Sequence, residues 1–318
     1  MFLSVVVPCY NEEKGVEKFY TEVLKYVDII SNIIFEYEFI FIDDGSTDNT
    51  LEKIKFLREI DPRVRYISFS RNFGKEAGIY AGLRASKGDL TVLMDADLQH
   101  PPELLKKMIE LIVYEGYDSV GTVRENRDGE GKCKSFFSKM FYKFINSISD
   151  TYIEANSTDY RMMNRQFLDS VLSLSEYNRF TKGIFSWVGY KNVTLKFKNI
   201  KRETGNSKWN IFKLFKYSLE GIISFSTVPL IVSSVLGMLS FAVAIVMLIV
   251  FLFKFIVVGE SVRGFPTIIC AIFFLGGIQL LSIGILGQYF SKAYLEIKNR
   301  PIYIVSEISD ENIDKIVF

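Results

Sequence analysis

The sequence predicts an α/β domain wound on a mostly parallel, Rossmann-like sheet and followed by two membrane-spanning helices. Three observations lead there. Short β-branched apolar runs alternate with helical patterns from Phe2 to about Val123. Polar and acidic clusters fall directly after those runs, at Tyr10-Asn11-Glu12, Asp43-Asp44-Gly45-Ser46 and Asp95-Ala96-Asp97. Finally, Val228–Phe253 and Gly264–Ser291 contain no Asp, Glu, Lys or Arg, and each exceeds the roughly 20 apolar residues that cross a bilayer core.

Taken in order, Phe2–Pro8 reads as a buried strand leading into a helix around Glu13–Val27. Tyr37–Ile42 is the next strand, with a helix from about Asp48 to Ile60. Val64–Phe69 then pairs with Lys75–Ala85, and Leu90–Met94 with Pro102–Tyr114, each a strand followed by a helix. Strands alternating with helices of this length imply parallel pairing with both sheet faces covered. Ligands of such sheets gather at the carboxyl ends of the strands, where the polar clusters lie. From Arg124 to Lys134 the chain turns charged and glycine-containing, either a mobile loop beside the site or a plain solvated one. Residues 135–205 complete the soluble domain.

Trp209–Phe225 has an amphipathic helical pattern, with Phe212, Phe215, Leu219 and Ile222 on one face and Lys213, Lys216 and Glu220 on another. Such a helix either lies in the membrane interface or packs on the soluble domain. The expected division is a soluble domain over 1–205, an interfacial helix over 206–227, spans at about 228–257 and 264–290 within 228–291, and a tail over 292–318. In that tail, Ile302–Val305 looks strand-like.

Hydrophobic residues make up 49% of the 318, and the mean hydropathy is +0.18. The excess sits in the two charge-free runs, which have no polar face to mark them as ordinary core helices. Met1–Val5 lacks a basic leader and its apolar stretch stops at Pro8, so no signal peptide is expected. Lys208, Lys213 and Lys216 precede the first span, while Lys292, Lys298 and Arg300 follow the second. With a short loop at Val258–Arg263, positive-inside reasoning puts both termini in the cytoplasm of a multi-pass membrane protein. Cys9, Cys133 and Cys270 form no disulfide framework, and a net charge of +1 gives no reason to expect nucleic acid.

The chemistry is concentrated at the strand ends. Asp95 and Asp97 at i and i+2 can converge on one hard divalent cation, with Gln99 adding a neutral oxygen; such a cation offsets the charge of a departing nucleoside diphosphate. Asp43 or Asp44 can accept from a base or ribose, or an acidic residue of that turn can cap the following helix. Tyr10 can stack on a base and Glu12 can bond ribose, against the simpler role of a strand-to-helix turn. Arg71-Asn72-Phe73-Gly74-Lys75 brings cations and a glycine to the same edge. His100, the only histidine, precedes Pro101-Pro102 and is read as structural or metal-shell. No Gly-x-Ser-x-Gly elbow and no Walker loop occur, which removes the serine hydrolase and P-loop ATPase readings.

Pro8-Cys9-Tyr10-Asn11-Glu12, Asp43–Ser46, Arg71–Lys75 and Asp95–Pro101 together resemble family 2 glycosyltransferases. More narrowly they resemble the polyprenyl-phosphate branch, the bactoprenol glucosyltransferases and dolichol-phosphate mannose synthases. Thr158–Arg161, Asn178–Phe180, Ser186–Tyr190 and Arg202–Trp209 extend the resemblance over nearly the whole chain. It implies a GT-A fold, a UDP-sugar donor, Mg²⁺ or Mn²⁺ at the Asp-x-Asp, a polyprenyl (undecaprenyl) phosphate acceptor in the bilayer and inversion at the anomeric carbon. By the same resemblance Pro8, Tyr10, Asn11, Glu12, Asp43, Asp44, Lys75, Asp95 and Ala96 contact the nucleotide sugar. Asp95, Asp97 and Gln99 hold the metal, Asp159 and Asp97 are catalytic, and Arg161, Arg179, Arg202 and Lys208 bind phosphate. Tyr160 stands where Phe is more usual, and Asn206 where a small residue or Glu is common. Relatives of this branch suggest a homo-oligomer, such as a tetramer.

Glucose is the sugar the resemblance favours, with galactose, N-acetylglucosamine or mannose from GDP-mannose open. A processive polysaccharide synthase would carry Gln-x-x-Arg-Trp and more spans; here neither Trp187 nor Trp209 follows an arginine. An inactive membrane scaffold of the same fold would not need every acidic strand end.

Overall fold

The computed structural model describes residues 1–125, 146, 154, 157–198, 226–258 and 264–310. The helical pattern at Trp209–Phe225, most of the Arg124–Lys134 loop, and Arg202 and Lys208 lie outside the described residues.

The first strand, β1 (Phe2–Cys9), is followed by α1 (Val16–Ile29), β2 (Glu36–Asp43), α2 (Thr50–Ile60) and β3 (Val64–Phe69). Next come α3 (Lys75–Ala85), β4 (Leu90–Leu93), α4 (Leu104–Val113) and β5 (Ser119–Arg124). β6 (Ser157–Asn164), α5 (Arg165–Ser173), α6 (Thr181–Trp187) and β7 (Asn192–Phe197) complete the globular part. Two long helices, α7 (Val228–Val258) and α8 (Phe265–Ile297), and a last strand β8 (Val305–Ile308) follow.

One sheet joins eight described strands in the order β7-β5-β6-β4-β1-β2-β3-β8. Four of its seven pairings are parallel; β6 runs antiparallel to both neighbours and β8 runs antiparallel to β3. The expected parallel unit is therefore β4-β1-β2-β3, and a mixed flank is added to it. Period-2 alternation explains the double core. Val5, Val7, Phe39 and Phe41 face Phe19, Val23 and Ile54 on one side. Val6, Ile40, Ile42 and Ile67 face Tyr80, Leu83 and Phe185 on the other. All these side chains are buried, so each strand is apolar on both faces as a covered parallel sheet requires.

α7 and α8 have 31 and 33 residues, about 45–50 Å each at 1.5 Å per residue. Both are long and apolar enough to cross a membrane, and their most apolar stretches are not buried by the chain. Met238, Phe241, Phe273 and Leu280 are 73%, 68%, 77% and 73% exposed. The second helix continues past the expected end at 290 to Ile297, carrying Lys292 and Glu296 beyond the apolar stretch. Its end is tied to the globular part: Glu296 Oε1 accepts the Tyr177 and Asn178 amides at 2.9 and 3.4 Å. The tail, expected to be strand-like at Ile302–Val305, forms its strand slightly later, at Val305–Ile308, and pairs with β3.

Candidate active site

Three loops at the carboxyl ends of β1, β2 and β3 are sewn together. The Asn11 amide donates to Ser46 Oγ at 3.0 Å, Asn11 Oδ1 accepts the Thr47 amide at 2.8 Å, and the Glu12 amide donates to Thr50 Oγ1 at 2.8 Å. Gly45 has φ +63, and a methyl there would sit 2.4 Å from the Arg71 carbonyl carbon. Only glycine allows both that conformation and that approach. Tyr10 stays 39% exposed at the mouth and Pro8 is half-buried.

Asp43 and Asp44 are buried at 1% and 4% exposure. Asp43 accepts from the Ser46 amide at 3.1 Å and Ser68 Oγ at 2.8 Å. Asp44 Oδ1 accepts the Phe73 amide at 2.6 Å, and its Oδ2 accepts the Gly74 amide at 2.9 Å. Expected at the nucleoside, both carboxylates here organise the loops that would surround it. Asp48, one residue before the N-cap Asn49, accepts the Thr50 amide at 3.0 Å at the start of α2. Burial pushes the Asp44 carboxyl up to about 6 against the pull of the Phe73 and Gly74 amides.

The acidic cluster follows from sheet register. β4 pairs antiparallel to β6 with Leu93 opposite Arg161, and continuing two residues along each strand brings Asp95 beside Asp159. Lys75, the first residue of α3, closes the cluster. Its Nζ lies 2.7 Å from Asp95 Oδ1 and 2.6 Å from Asp159 Oδ2. Desolvation opposes the charge on all three groups, yet their mutual attraction outweighs it: Asp95 and Asp159 titrate below the usual carboxylate range and Lys75 above the usual lysine value. Lys182 Nζ stands 3.9 Å from Asp159 Oδ1 as a second cation.

Asp97 Oδ1 accepts the Gln99 amide at 3.1 Å, and Gln99 Oε1 accepts from Arg124 Nη2 at 3.2 Å. Asp95, Asp97 and Gln99 are hard oxygen donors of the kind Mg²⁺ or Mn²⁺ takes beside waters and substrate phosphates. Among the described residues no three His, Cys, Asp or Glu side chains form a cage for an ion by themselves. The donor set therefore fits a cation completed by a diphosphate. Ala96 is buried beneath it, its carbonyl close to Gly15. His100 is 1% exposed and stacks on Tyr160 at 5.3 Å, with burial lowering its basicity, which favours the structural reading.

The arginines expected to bind phosphate differ in their surroundings. Arg161 shares a strand face with Asp159, but its Nη1 donates to Ser119 Oγ at 2.7 Å and its guanidinium lies 4.9 Å from the Phe185 ring centroid. Burial lowers its pKa to about 10. Arg179 is 7% exposed, lies 4.3 Å over the Tyr80 ring and donates to the Leu174 and Val171 carbonyls at the end of α5. In this structure Arg179 closes a helix terminus rather than presenting its fork to the cleft.

Two further residues belong to the cluster. Glu76 Oε2 accepts the Thr181 amide at 3.0 Å and also the Thr181 hydroxyl, fastening the start of α6 and hence Lys182 beside Asp159. Both sit next to motifs already singled out, Glu76 after Lys75 and Lys182 after Asn178-Arg179-Phe180, but their convergence depends on α3 packing near α6.

Residues 4–172 match the model of Glycosyl transferase family 2. The chain is 42% identical over 312 residues to the putative glycosyltransferase CsbB of Bacillus subtilis (strain 168), covering 98% of this chain and 93% of that one. It is 40% identical over 308 residues to the prophage bactoprenol glucosyl transferase homolog of Escherichia coli (strain K12), covering 97% and 99%. The bactoprenol glucosyl transferase of Shigella phage SfX is 40% identical over 305 residues, covering 96% and 99%. Among solved structures, glucosyl-3-phosphoglycerate synthase of Mycobacterium tuberculosis is similar at a TM-score of 0.46 and 19% identity, covering 70% of this chain and 76% of that one. The parallel unit, the acidic cluster at its strand ends and these nearly full-length relatives lead to one assignment: the chain is a family 2 glycosyltransferase.

Proposed function

We propose that this glycosyltransferase moves glucose from UDP-glucose onto a polyprenyl (undecaprenyl) phosphate, with inversion at the anomeric carbon, for use in modifying a cell-surface glycan. One observation carries the lipid acceptor. The acidic cluster and two unburied apolar helices belong to one chain whose last strand returns to the catalytic sheet. A polyprenyl chain cannot leave the bilayer cheaply, so an enzyme acting on it must hold its site at the membrane. Nearly full-length identity of 40% to proteins named bactoprenol glucosyl transferases supports the same acceptor and sugar.

The return of β8 also bears on topology. β3 precedes the helix pair and β8 follows it, yet they exchange hydrogen bonds. The chain must therefore enter and leave the bilayer on one side, which supports a two-span hairpin. With the basic flanks, both termini face the cytoplasm, the division being 1–205, 206–227, 228–291 and 292–318.

In the reaction, an acceptor phosphate oxygen bonds to the sugar C1 while the bond from C1 to the UDP oxygen breaks. The acceptor phosphate has its second pKa at about 6 and is largely a dianion near neutral pH. It needs little help in losing a proton. Asp159 is held ionised by Lys75 and Lys182, which makes it a weak proton acceptor. Its role is to orient the sugar and acceptor, with Lys182 beside it as the candidate phosphate contact. Asp95, Asp97 and Gln99 would hold Mg²⁺ or Mn²⁺, which would offset the charge of the departing diphosphate. Lys75, paired with Asp95 and Asp159, is the cation on this edge that would contact the diphosphate.

The test uses purified protein in detergent with undecaprenyl phosphate, Mg²⁺ or Mn²⁺, and UDP-glucose, UDP-galactose, UDP-N-acetylglucosamine or GDP-mannose. Metal-dependent passage of label into organic solvent from UDP-glucose alone is the expected result. Transfer from another donor would revise the sugar, and failure to bind any nucleotide would refute the reading.

A further inference from the structure

We propose that Tyr303, on the segment following the second apolar helix, is a positioning residue for the donor loop Arg71–Lys75. The inference rests on the glycosyl-transfer reading above. It assigns the C-terminal segment a part in donor binding, beyond anchorage.

The geometry is a continuous stack of rings. Tyr303 is 2% exposed and lies nearly flat on Phe69, with centroids 4.7 Å apart and planes 17° from parallel. Phe69 meets Phe73 edge-on at 5.8 Å and 89°. The Arg71 guanidinium rests 4.0 Å above the centroid of Phe73. The stack thus runs from the C-terminal segment to an exposed cation on the loop beside the acidic cluster. Tyr303 also touches α3, approaching Tyr80 at 6.5 Å and 67°. One ring therefore backs both the loop entering Lys75 and the helix leaving it. The loop is also held by the Phe73 and Gly74 amides on Asp44 and by Lys75 on Asp95 and Asp159.

Backbone pairing holds the segment against this loop. The Ser70 amide donates to the Ile304 carbonyl at 3.0 Å, and β8 pairs with β3 from Phe69 to Ile67 with a register shift between Ser68 and Phe69. Farther along, Lys55 meets Glu307 at 2.9 Å, while Arg65 and Arg58 meet Asp310 at 2.6 and 3.2 Å. These contacts fasten the strand without touching the loop. Fastening and positioning therefore reside in different side chains and can be separated by mutation. Stacked and edge-to-face aromatic contacts add directional preference to plain burial. A ring at 303 therefore sets the plane of Phe69 and, through it, the angle of Phe73 in a way an aliphatic side chain of similar bulk does not.

The experiment compares Tyr303→Leu, Tyr303→Phe and Glu307→Gln in the full chain, measuring kcat and KM for UDP-glucose and hydrogen exchange across the Phe73 and Gly74 amides without ligand. Tyr303→Leu should raise the UDP-glucose KM and the loop's exchange rate about tenfold, with kcat and acceptor KM changed less than about threefold. Tyr303→Phe should restore both, and Glu307→Gln should leave both unchanged. Unaltered loop exchange in Tyr303→Leu overturns the proposal, whatever the donor. Faster exchange in a protein that does not use UDP-glucose sustains it and refutes the donor assignment instead. If Tyr303→Leu does not fold, Phe73→Leu should raise the UDP-glucose KM and the loop's exchange rate about tenfold, and unaltered loop exchange in that variant overturns the proposal.

Discussion

The catalytic sheet and the helix pair use the same apolar residues to opposite ends. In β1, Val5, Val6 and Val7 are fully buried by helices on both faces. In α7 and α8, Met238, Leu280 and Phe273 stand more than 70% exposed. Water does not tolerate so large a continuous apolar surface on an isolated chain, whereas a bilayer requires it. The sheet is buried by the chain itself, whereas the two helices are long and apolar enough to be buried by a bilayer instead.

The sharpest way to break that comparison is to disable one region while sparing the other. Asp97→Ala or Asp95→Ala should lower transfer by about 10³-fold or more while the protein still enters membranes, because charge stabilisation at the leaving diphosphate is lost. Membrane-fraction assays with and without EDTA read both properties at once. Asp159→Asn should cost about 10²–10⁴-fold at pH 6 with no recovery at pH 8.5, as an orienting group would. Recovery at the higher pH would instead identify Asp159 as a proton acceptor.

Removing the helices gives a graded outcome that depends on where the cut is made. Replacing 228–297 by a flexible linker while keeping β8 should preserve UDP binding and lower transfer to long-chain acceptor by about tenfold or more, since the acceptor is no longer held near the site. Ending the chain at Val228 should do more, because it also strips β8 and Tyr303 from the edge of β3. Melting temperature and donor affinity should both fall in that variant. Equal donor binding by the two deletions would show that the edge strand is dispensable.

The smallest expected effect is a pH dependence in the sheet region alone. Burial raises Asp44 to about 6, above the ordinary aspartate value of about 3.9. Between those values the folded protein keeps a proton that the unfolded chain has released. Asp44 therefore contributes stability at low pH that is withdrawn as pH rises through this window. Loop order runs the other way, because the ionised carboxylate is the better acceptor for the Phe73 and Gly74 amides. UDP-glucose binding without acceptor should weaken several-fold as pH falls below about 6, and Asp44→Asn should flatten that profile. A flat profile in the unmutated protein would deny Asp44 this role.

Much of this was legible beforehand. Lys75–Ala85 and Val64–Phe69 were predicted to the residue, because strand and helix periods are local properties. The acidic motifs also fell at strand ends as expected, since turn chemistry follows directly on each apolar run. What local pattern does not hold is the partner of each side chain. Asp43 and Asp44, expected to contact the nucleoside, also accept from amides and hydroxyls of the neighbouring loops. Arg179, expected to contact phosphate, is seen to donate to carbonyls at the end of α5.

The sequence by itself determined the alternation of strands and helices, the two apolar spans and the identity of the acidic strand ends. Each is written in a window of consecutive residues, within which hydrophobic period and charge leave little choice. Tertiary structure alone decided that Asp95 and Asp159 share Lys75, that Glu76 fastens α6, and that the chain returns from its second apolar helix to finish the catalytic sheet. Those contacts join residues tens to hundreds of positions apart. Their geometry is set by strand register and helix packing, which no short window contains.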